Sequence, residues 1–272
     1  MQDTIAVIGC YGFNVTKRIL PELRKLNPRW IIGYDLVEAP GELGFPYIRV
    51  KDDAELARRL KEQRPKTVLI ETPDECHAEH IRIALDSGAR LVICEKPVAL
   101  SQTEATGVVR LCKAARPNQQ VNIQDHYRNL EFIRLLWANA RRWLGSARSL
   151  EMVLLESEGV PLNQVRSHAQ GMFNFLHHVP AIAGLFIDLH SLRVREAVKA
   201  RHPAAPVPDS FRGAVFSAMG QCPVSIRGCV GKFIEKSSRR ITVSGTGGTV
   251  TIDRSTHKLH VACTDGVNSL RY

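Results

Sequence analysis

The chain has 272 residues, 44% of them hydrophobic, enough to bury a core in one large domain or two moderate ones and too apolar for an intrinsically disordered chain. Its 37 Lys and Arg against 27 Asp and Glu leave a formal charge of +10. The excess is spread over short runs such as Arg58-Arg59, Arg141-Arg142 and Arg239-Arg240 with no interleaved aromatics, so an anionic small molecule is expected rather than nucleic acid.

No window approaches the roughly 18 to 20 apolar residues of a membrane span. The opening MQDTIAVIG lacks the basic stretch and apolar core of a secretory signal, so no membrane partner and a cytoplasmic setting are expected. Seven cysteines (Cys10, Cys76, Cys94, Cys112, Cys222, Cys229, Cys263) include no C-x-x-C pair, which argues against a disulfide framework and against a metal site.

In chain order, Thr4 to Gly9 reads as a strand that stops at glycine, and Val15 to Leu26 carries apolar residues at helical spacing. Strands are predicted at Trp30 to Asp35, Tyr47 to Val50, Val68 to Glu71, Leu91 to Cys94 and Gln120 to Gln124. Helices are predicted at Ala54 to Gln63, Ala78 to Ser87 and Thr103 to Ala115. Continuous apolar strands separated by helices imply a parallel sheet covered on both faces. Beyond it the pattern changes: Arg148 to Glu156, Phe211 to Met219, Val224 to Val230, Arg240 to Ser244, Thr249 to Asp253 and Leu259 to Ala262 are strand-like and joined mostly by short turns. A boundary is placed near residues 122–125, dividing the chain into 1–124 and 125–272.

A strand ending in glycine and feeding a helix offers free amides and a positive dipole end to a pyrophosphate. Gly9, Tyr11, Gly12, Phe13 and Asn14 occupy that turn, with Tyr11 and Asn14 where the usual second and third glycines stand. Asp35 ends the second strand 26 residues after Gly9, at the spacing of the carboxylate that accepts from an adenine-ribose 2′-hydroxyl. It favours NAD over NADP as cofactor, because it would repel a 2′-phosphate. A turn cap is the competing role for Asp35.

The stretch VLIETPDECHAEHIRIALDSGARLVICEKPVAL, Val68 to Leu100, resembles the glucose-fructose oxidoreductase and inositol dehydrogenase family, Gfo/Idh/MocA. The matching elements are Thr72-Pro73, His77-Ala78-Glu79, Ala84-Leu85, Gly88 and Glu95-Lys96-Pro97. Leu144-Gly145 to Glu151 and Ile241 to Asp253 are similar to second-domain segments of the same family. A more local likeness joins Gly9 to Pro21 and Asp125-His126-Tyr127 to the glucose-6-phosphate dehydrogenases. Their lysine three positions beyond D-H-Y is Leu130 here.

The resemblance implies an α/β chain with a Rossmann-type doubly wound parallel sheet, followed by an α+β domain with an open, mainly antiparallel sheet. It implies an NAD(P)-dependent oxidoreductase moving hydride between nicotinamide and a secondary hydroxyl or carbonyl of a sugar, sugar phosphate or cyclitol. An open sheet with exposed faces often pairs with itself, so a homodimer or homotetramer is expected. Thr72, Pro73, His77, Glu95 and Lys96 join the cofactor set, and Lys96 also contacts the reacting hydroxyl.

Gly171 to Gly184 resembles the family's catalytic helix, where an aspartate precedes the histidine by four; here the pair is Asn174 and His178. His178 is then the base, with Asp125 as the carboxylate that orients it. His126, Tyr127, Arg128, Asn174 and His177 are assigned to the substrate. Two other functions stay open: an enzyme that uses NAD without net redox, through epimerisation or elimination, and a non-catalytic dinucleotide-binding protein suggested by Asn174 and the altered glycine pattern.

Overall fold

A computed structural model of the chain describes residues 4–11, 15–23, 25–26, 30–38, 41, 43–124, 130–155, 182–185, 193–201, 211–219, 238–253, 258–263 and 266–271. The chain divides into two compact units, Met1–Gln124 and Asp125–Tyr272.

The first unit is built on six parallel strands: β1 (Ile5–Ile8), β2 (Ile31–Asp35), β3 (Tyr47–Arg49), β4 (Thr67–Ile70), β5 (Leu91–Cys94) and β6 (Gln120–Ile123). Their order across the sheet is β3-β2-β1-β4-β5-β6. The chain therefore reverses its direction of travel between β1 and β4, and the crevice beyond the carboxyl ends of these two strands is where such sheets bind ligands.

Alternation along each strand feeds two cores. Ala6, Ile8, Val68, Ile70, Val92 and Cys94 pack with residues of α2 (Asp53–Gln63), α3 (His77–Asp86) and α4 (Gln102–Ala114). Val7 and Ile31 pack on the other side with Val15, Leu20 and Leu23.

Local sequence explains where the helices start. Asp52 accepts from the Glu55 amide at 2.8 Å while Glu55 accepts from the Lys51 amide at 3.2 Å, and Ser101 with Glu104 repeats this reciprocal capping ahead of α4. The first helix departs from the uniform helix expected over Val15 to Leu26. Val15–Ile19 is π-helical and α1 proper covers only Leu20–Leu23. Pro21 has no amide to give to the preceding turn, so regular i to i−4 pairing cannot run through it.

The second unit opens with α5 (Glu131–Leu144), a helix not anticipated above, and continues with β7 (Ala147–Leu155). Next in the chain are β8 (Arg193–Arg201) and β9 (Phe211–Met219), paired antiparallel as a two-stranded sheet. β10 (Ser238–Gly245), β11 (Gly248–Asp253), β12 (Lys258–Cys263) and β13 (Gly266–Arg271) complete an antiparallel sheet of order β13-β12-β11-β10-β7. Phe132, Ile133, Leu136 and Leu144 of α5 are buried against Leu150, Ile241, Val243, Val250, Ile252 and Val261. Other sheet positions pair hydroxyls, Thr242 with Thr251 at 3.3 Å and Ser244 with Thr249 at 3.0 Å. An apolar set packed under a helix and a polar set beside it is the usual division of an antiparallel sheet.

The Leu144-Gly145 junction is tied to the β10–β11 hairpin: Gly247 donates to Leu144 O at 2.9 Å, and Ser146 donates to Thr246 Oγ1 at 3.1 Å. The strand expected at Val224 to Val230 lies outside the described residues. Among the described residues no helix is long and apolar enough to cross a membrane.

Phe132 carries the largest side chain that α5 buries, so Phe132→Ala should lower the unfolding free energy of the second unit by roughly 3–5 kcal/mol. Trp137 and Trp143 on the same helix give the fluorescence signal for a urea titration that reads the loss.

Candidate functional site

The parallel register places Ile8, Ile70 and Cys94 side by side at the ends of β1, β4 and β5. The ladder runs one step further, because Glu71 N donates to Ile8 O and Glu95 N to Ile70 O, both at 2.9 Å. Gly9, Glu71 and Glu95 therefore form the next row, at the lip of the crevice.

Gly9 has φ +79°, and a Cβ on it would stand 2.7 Å from Glu71 O and 2.9 Å from Thr72 Cγ2. Both the conformation and the space require glycine. Its amide donates to Tyr34 O at 2.8 Å, so the turn leaves β1 pinned between β2 and β4.

Asp35 closes the same turn from β2. Its Oδ2 accepts from the Tyr11 amide at 3.1 Å and its Oδ1 from the Leu36 amide at 2.8 Å. With the Val37 amide at 3.5 Å, three amides donate to it and still leave part of a carboxylate's lone-pair capacity open, so capping and a ribose contact are compatible roles. The Tyr11 ring meets Tyr47 edge to face at 5.2 Å, and its hydroxyl donates to Gly41 O at 3.1 Å. Arg49, opposite Asp35 in the register, donates to Leu36 O at 3.2 Å and pairs with Glu38 at 2.9 Å.

Beyond β4 and β5, two turns are bolted together by a buried imidazole. His77 Nδ1 lies 2.7 Å from Pro97 O and Nε2 lies 2.8 Å from Thr72 O. Each carbonyl only accepts, so a ring with one proton serves one of them at a time. The Lys96-Pro97 peptide is cis.

The Thr72 hydroxyl is held as well, 2.9 Å from His80 Nδ1, whose Nε2 lies 3.1 Å from Asp53 Oδ1. Sequence reasoning missed His80 and Asp53, which are 27 positions apart and belong to no motif. Asp74 stands next to this cluster; burial pushes its carboxyl up, against the opposing pull of His77 and Lys96.

Glu71 is the least expected group of the row. It is 8% exposed, and among the described residues neither carboxyl oxygen has a hydrogen-bond partner. Burial, with the Glu95 carboxyl beside it, pushes its pKa up to about 8 from an ordinary 4.5. The sequence places it as the last residue of a strand, and only a charged side chain closing an apolar run marks it.

The structure thus brings together Gly9, Tyr11 and Asp35 at one part of the crevice mouth, and Thr72, Pro73, His77, Glu95 and Lys96 at the other. Gly12, Phe13, Asn14, Asp125, His126, Tyr127, Arg128, Asn174, His177 and His178 lie outside the described residues. A groove of about 580 Å³ lined by Ala78, Arg82, Val108, Arg110 and Leu111 of α3 and α4 includes none of the candidate residues. Among the described residues no group of three His, Cys, Asp or Glu could hold a metal ion.

The glycine turn, the Asp35 lone pairs and the buried carboxyl at the lip fit a dinucleotide. Residues 4–123 match the family model described as GFO_IDH_MocA, oxidoreductase family, NAD-binding Rossmann fold. No curated protein matches the chain.

Among solved structures the chain is similar to an oxidoreductase from Agrobacterium radiobacter in complex with NAD+, L-tartaric acid and magnesium, with a TM-score of 0.79 and 18% identity over 99% of this chain and 79% of that one. It is similar to a levoglucosan dehydrogenase in complex with NADH and levoglucosan, with a TM-score of 0.77 and 16% identity over 99% and 80%. It is also similar to a biliverdin reductase from Synechocystis in complex with biliverdin and NADP+, with a TM-score of 0.75 and 15% identity over 99% and 84%.

Glu71 makes stability depend on pH. The unfolded chain ionises it near the ordinary 4.5 while the folded chain keeps its proton to about 8, so stability falls as pH rises through that window. Glu71→Gln should flatten the decline and be more stable than the parent at pH 8.5, by an amount on the order of a few kcal/mol, read from thermal melts between pH 5 and 8.5. Residues 4–123 of the first unit are thus similar to the NAD-binding Rossmann fold of the Gfo/Idh/MocA oxidoreductases.

Proposed function

We propose that the chain transfers hydride between a nicotinamide dinucleotide and a secondary hydroxyl or carbonyl of a sugar-type substrate. The observation that carries this reading is the in-register row at the β1–β4 crevice, where the Gly9 turn faces the Thr72-Pro73 and Glu95-Lys96-Pro97 turns locked by His77. Nicotinamide supplies the hydride chemistry when bound. The chain supplies the positions.

In this reading Lys96 leads from a turn whose carbonyl is fixed by His77, and its ammonium stabilises the negative charge that develops on the substrate oxygen. His77 and His80 are positioning residues that hold Thr72. The resemblance supplies His178 as the proton acceptor and Asp125 as its orienting carboxylate. The sugar class follows from the resemblance, and a levoglucosan dehydrogenase stands among the structures that share the fold.

NAD is favoured over NADP. Asp35 presents a carboxylate where a 2′-phosphate would sit, and the guanidinium of Arg49 that could offset it is shared with Glu38. Asp35→Ser should weaken NAD binding, through both the ribose and the lost cap on Tyr11, and shift the NAD-to-NADP affinity ratio by about tenfold or more toward NADP. Fluorescence titration of both reduced cofactors measures the ratio, and an unchanged ratio removes Asp35 from cofactor choice.

Lys96→Ala should lower turnover on a sugar or cyclitol substrate by about 10² to 10⁴-fold, as should His178→Ala. Stopped-flow absorbance at 340 nm tests both. Retained cofactor affinity with no turnover by the parent chain across such a panel would leave a non-catalytic dinucleotide-binding protein instead.

A further inference from the structure

We propose that the row at the crevice lip discriminates oxidised from reduced nicotinamide through a proton: Glu71 gives up its proton when NAD+ binds and keeps it when NADH binds. The inference rests on the reading that a dinucleotide occupies the β1–β4 crevice.

The geometry supplies the starting state. Glu71 lies one step beyond β4, between Gly9 and Glu95 in the register, buried, with both carboxyl oxygens unpartnered among the described residues. A buried polar group without a partner is costly, and it is kept where a ligand completes it.

The groups around it do not neutralise it. Glu95 from the end of β5 opposes its ionisation. The Cys94 thiol is pushed up by burial and then by Glu71, Glu95 and Asp74, and the Cys10 thiol from the β1 turn is pushed up to about 12, by burial first and then by Asp35. Both thiols are therefore neutral near pH 7. Among the described residues the nearby ammonium of Lys96 acts on Asp74.

Into this place the two forms of the cofactor bring different charge. In a dinucleotide laid across the sheet one mononucleotide half belongs to the β4–β5 side. The oxidised nicotinamide ring carries one positive charge and the reduced ring none. A positive ring beside a neutral carboxyl in a dry crevice pulls the group toward its ionised form, an opposite-charge effect large enough to move an acid by one or two pH units. The step balances as a carboxylic acid plus NAD+ giving a carboxylate paired with the bound cation and one proton released to buffer. By linkage, NAD+ affinity rises with pH up to the acid's range and NADH affinity does not.

Isothermal titration calorimetry of the whole chain at pH 7.0, run in phosphate and in Tris, counts the protons exchanged because the two buffers differ in ionisation enthalpy. NAD+ binding should release roughly 0.4 to 0.8 proton and NADH close to none, and NAD+ affinity should rise about two- to fivefold between pH 6 and pH 7. In Glu71→Gln the release on NAD+ binding should vanish.

Equal proton counts for NAD+ and NADH in the unmodified chain would overturn the proposal without any variant. Release that persists in Glu71→Gln and disappears in Glu95→Gln would overturn it too, by moving the proton to Glu95. Failure of both cofactors to bind at all would instead overturn the dinucleotide reading on which the proposal rests.

Discussion

The close approach of β1 to β4 governs the first unit. With no side chain at residue 9, the chain leaves β1 with φ +79° and passes under the carbonyl of Glu71, closer than any Cβ would allow. That crowding keeps the ladder going one residue past the strands proper, so Gly9, Glu71 and Glu95 line up at the lip. The two turns that follow β4 and β5 start from fixed points and are then locked to each other by one imidazole between two carbonyls. A site built from strand ends and a buried clamp is rigid where it meets a ligand, which hydride transfer needs for its alignment.

Electrostatics give the same row a second property. A sheet whose ends carry two neighbouring carboxyls at its reversal point keeps one of them as an acid near neutral pH. The fold bears this as lost stability at higher pH, and such a cost is commonly concentrated where function uses it. Asp35 illustrates the opposite economy: one carboxylate caps the Tyr11 and Leu36 amides and retains capacity for another donor.

Much of this architecture was legible in the sequence because its signals are local. Apolar strands ending in Gly9, Asp35, Glu71 and Cys94, and helices over Ala54 to Gln63 and Thr103 to Ala115, follow from the period of apolar residues. What was not legible depends on pairings distant in the chain. His80 and Asp53 meet only because α2 and α3 pack together, and the burial of Glu71 depends on Gly9, 62 positions earlier. The apolar spacing over Val15 to Leu26 masked the π-helical start of the first helix, which only Pro21 signals.

In the second unit, α5 carries Phe132, Ile133, Leu136 and Leu144 at helical spacing, but it starts after Leu130 with no side-chain cap, so no local signal marks its beginning. β8, with sequence RVREAVKAR, was obscured by its charges, which interrupt any apolar run. The residues assigned to the proton and the substrate beyond Gln124 stand on the resemblance, since Asp125 and His178 are outside the described chain.

The central claim is that a nicotinamide dinucleotide binds at the lip formed by the Gly9, Glu71 and Glu95 row. Hydrogen exchange of the whole chain with and without NADH, followed by mass spectrometry, tests it most directly. The account predicts slowed exchange in peptides covering residues 9–11, 71–74 and 95–96, with the α3–α4 groove unchanged. Protection confined to that groove, or absent at NADH concentrations that saturate the protein, would contradict it.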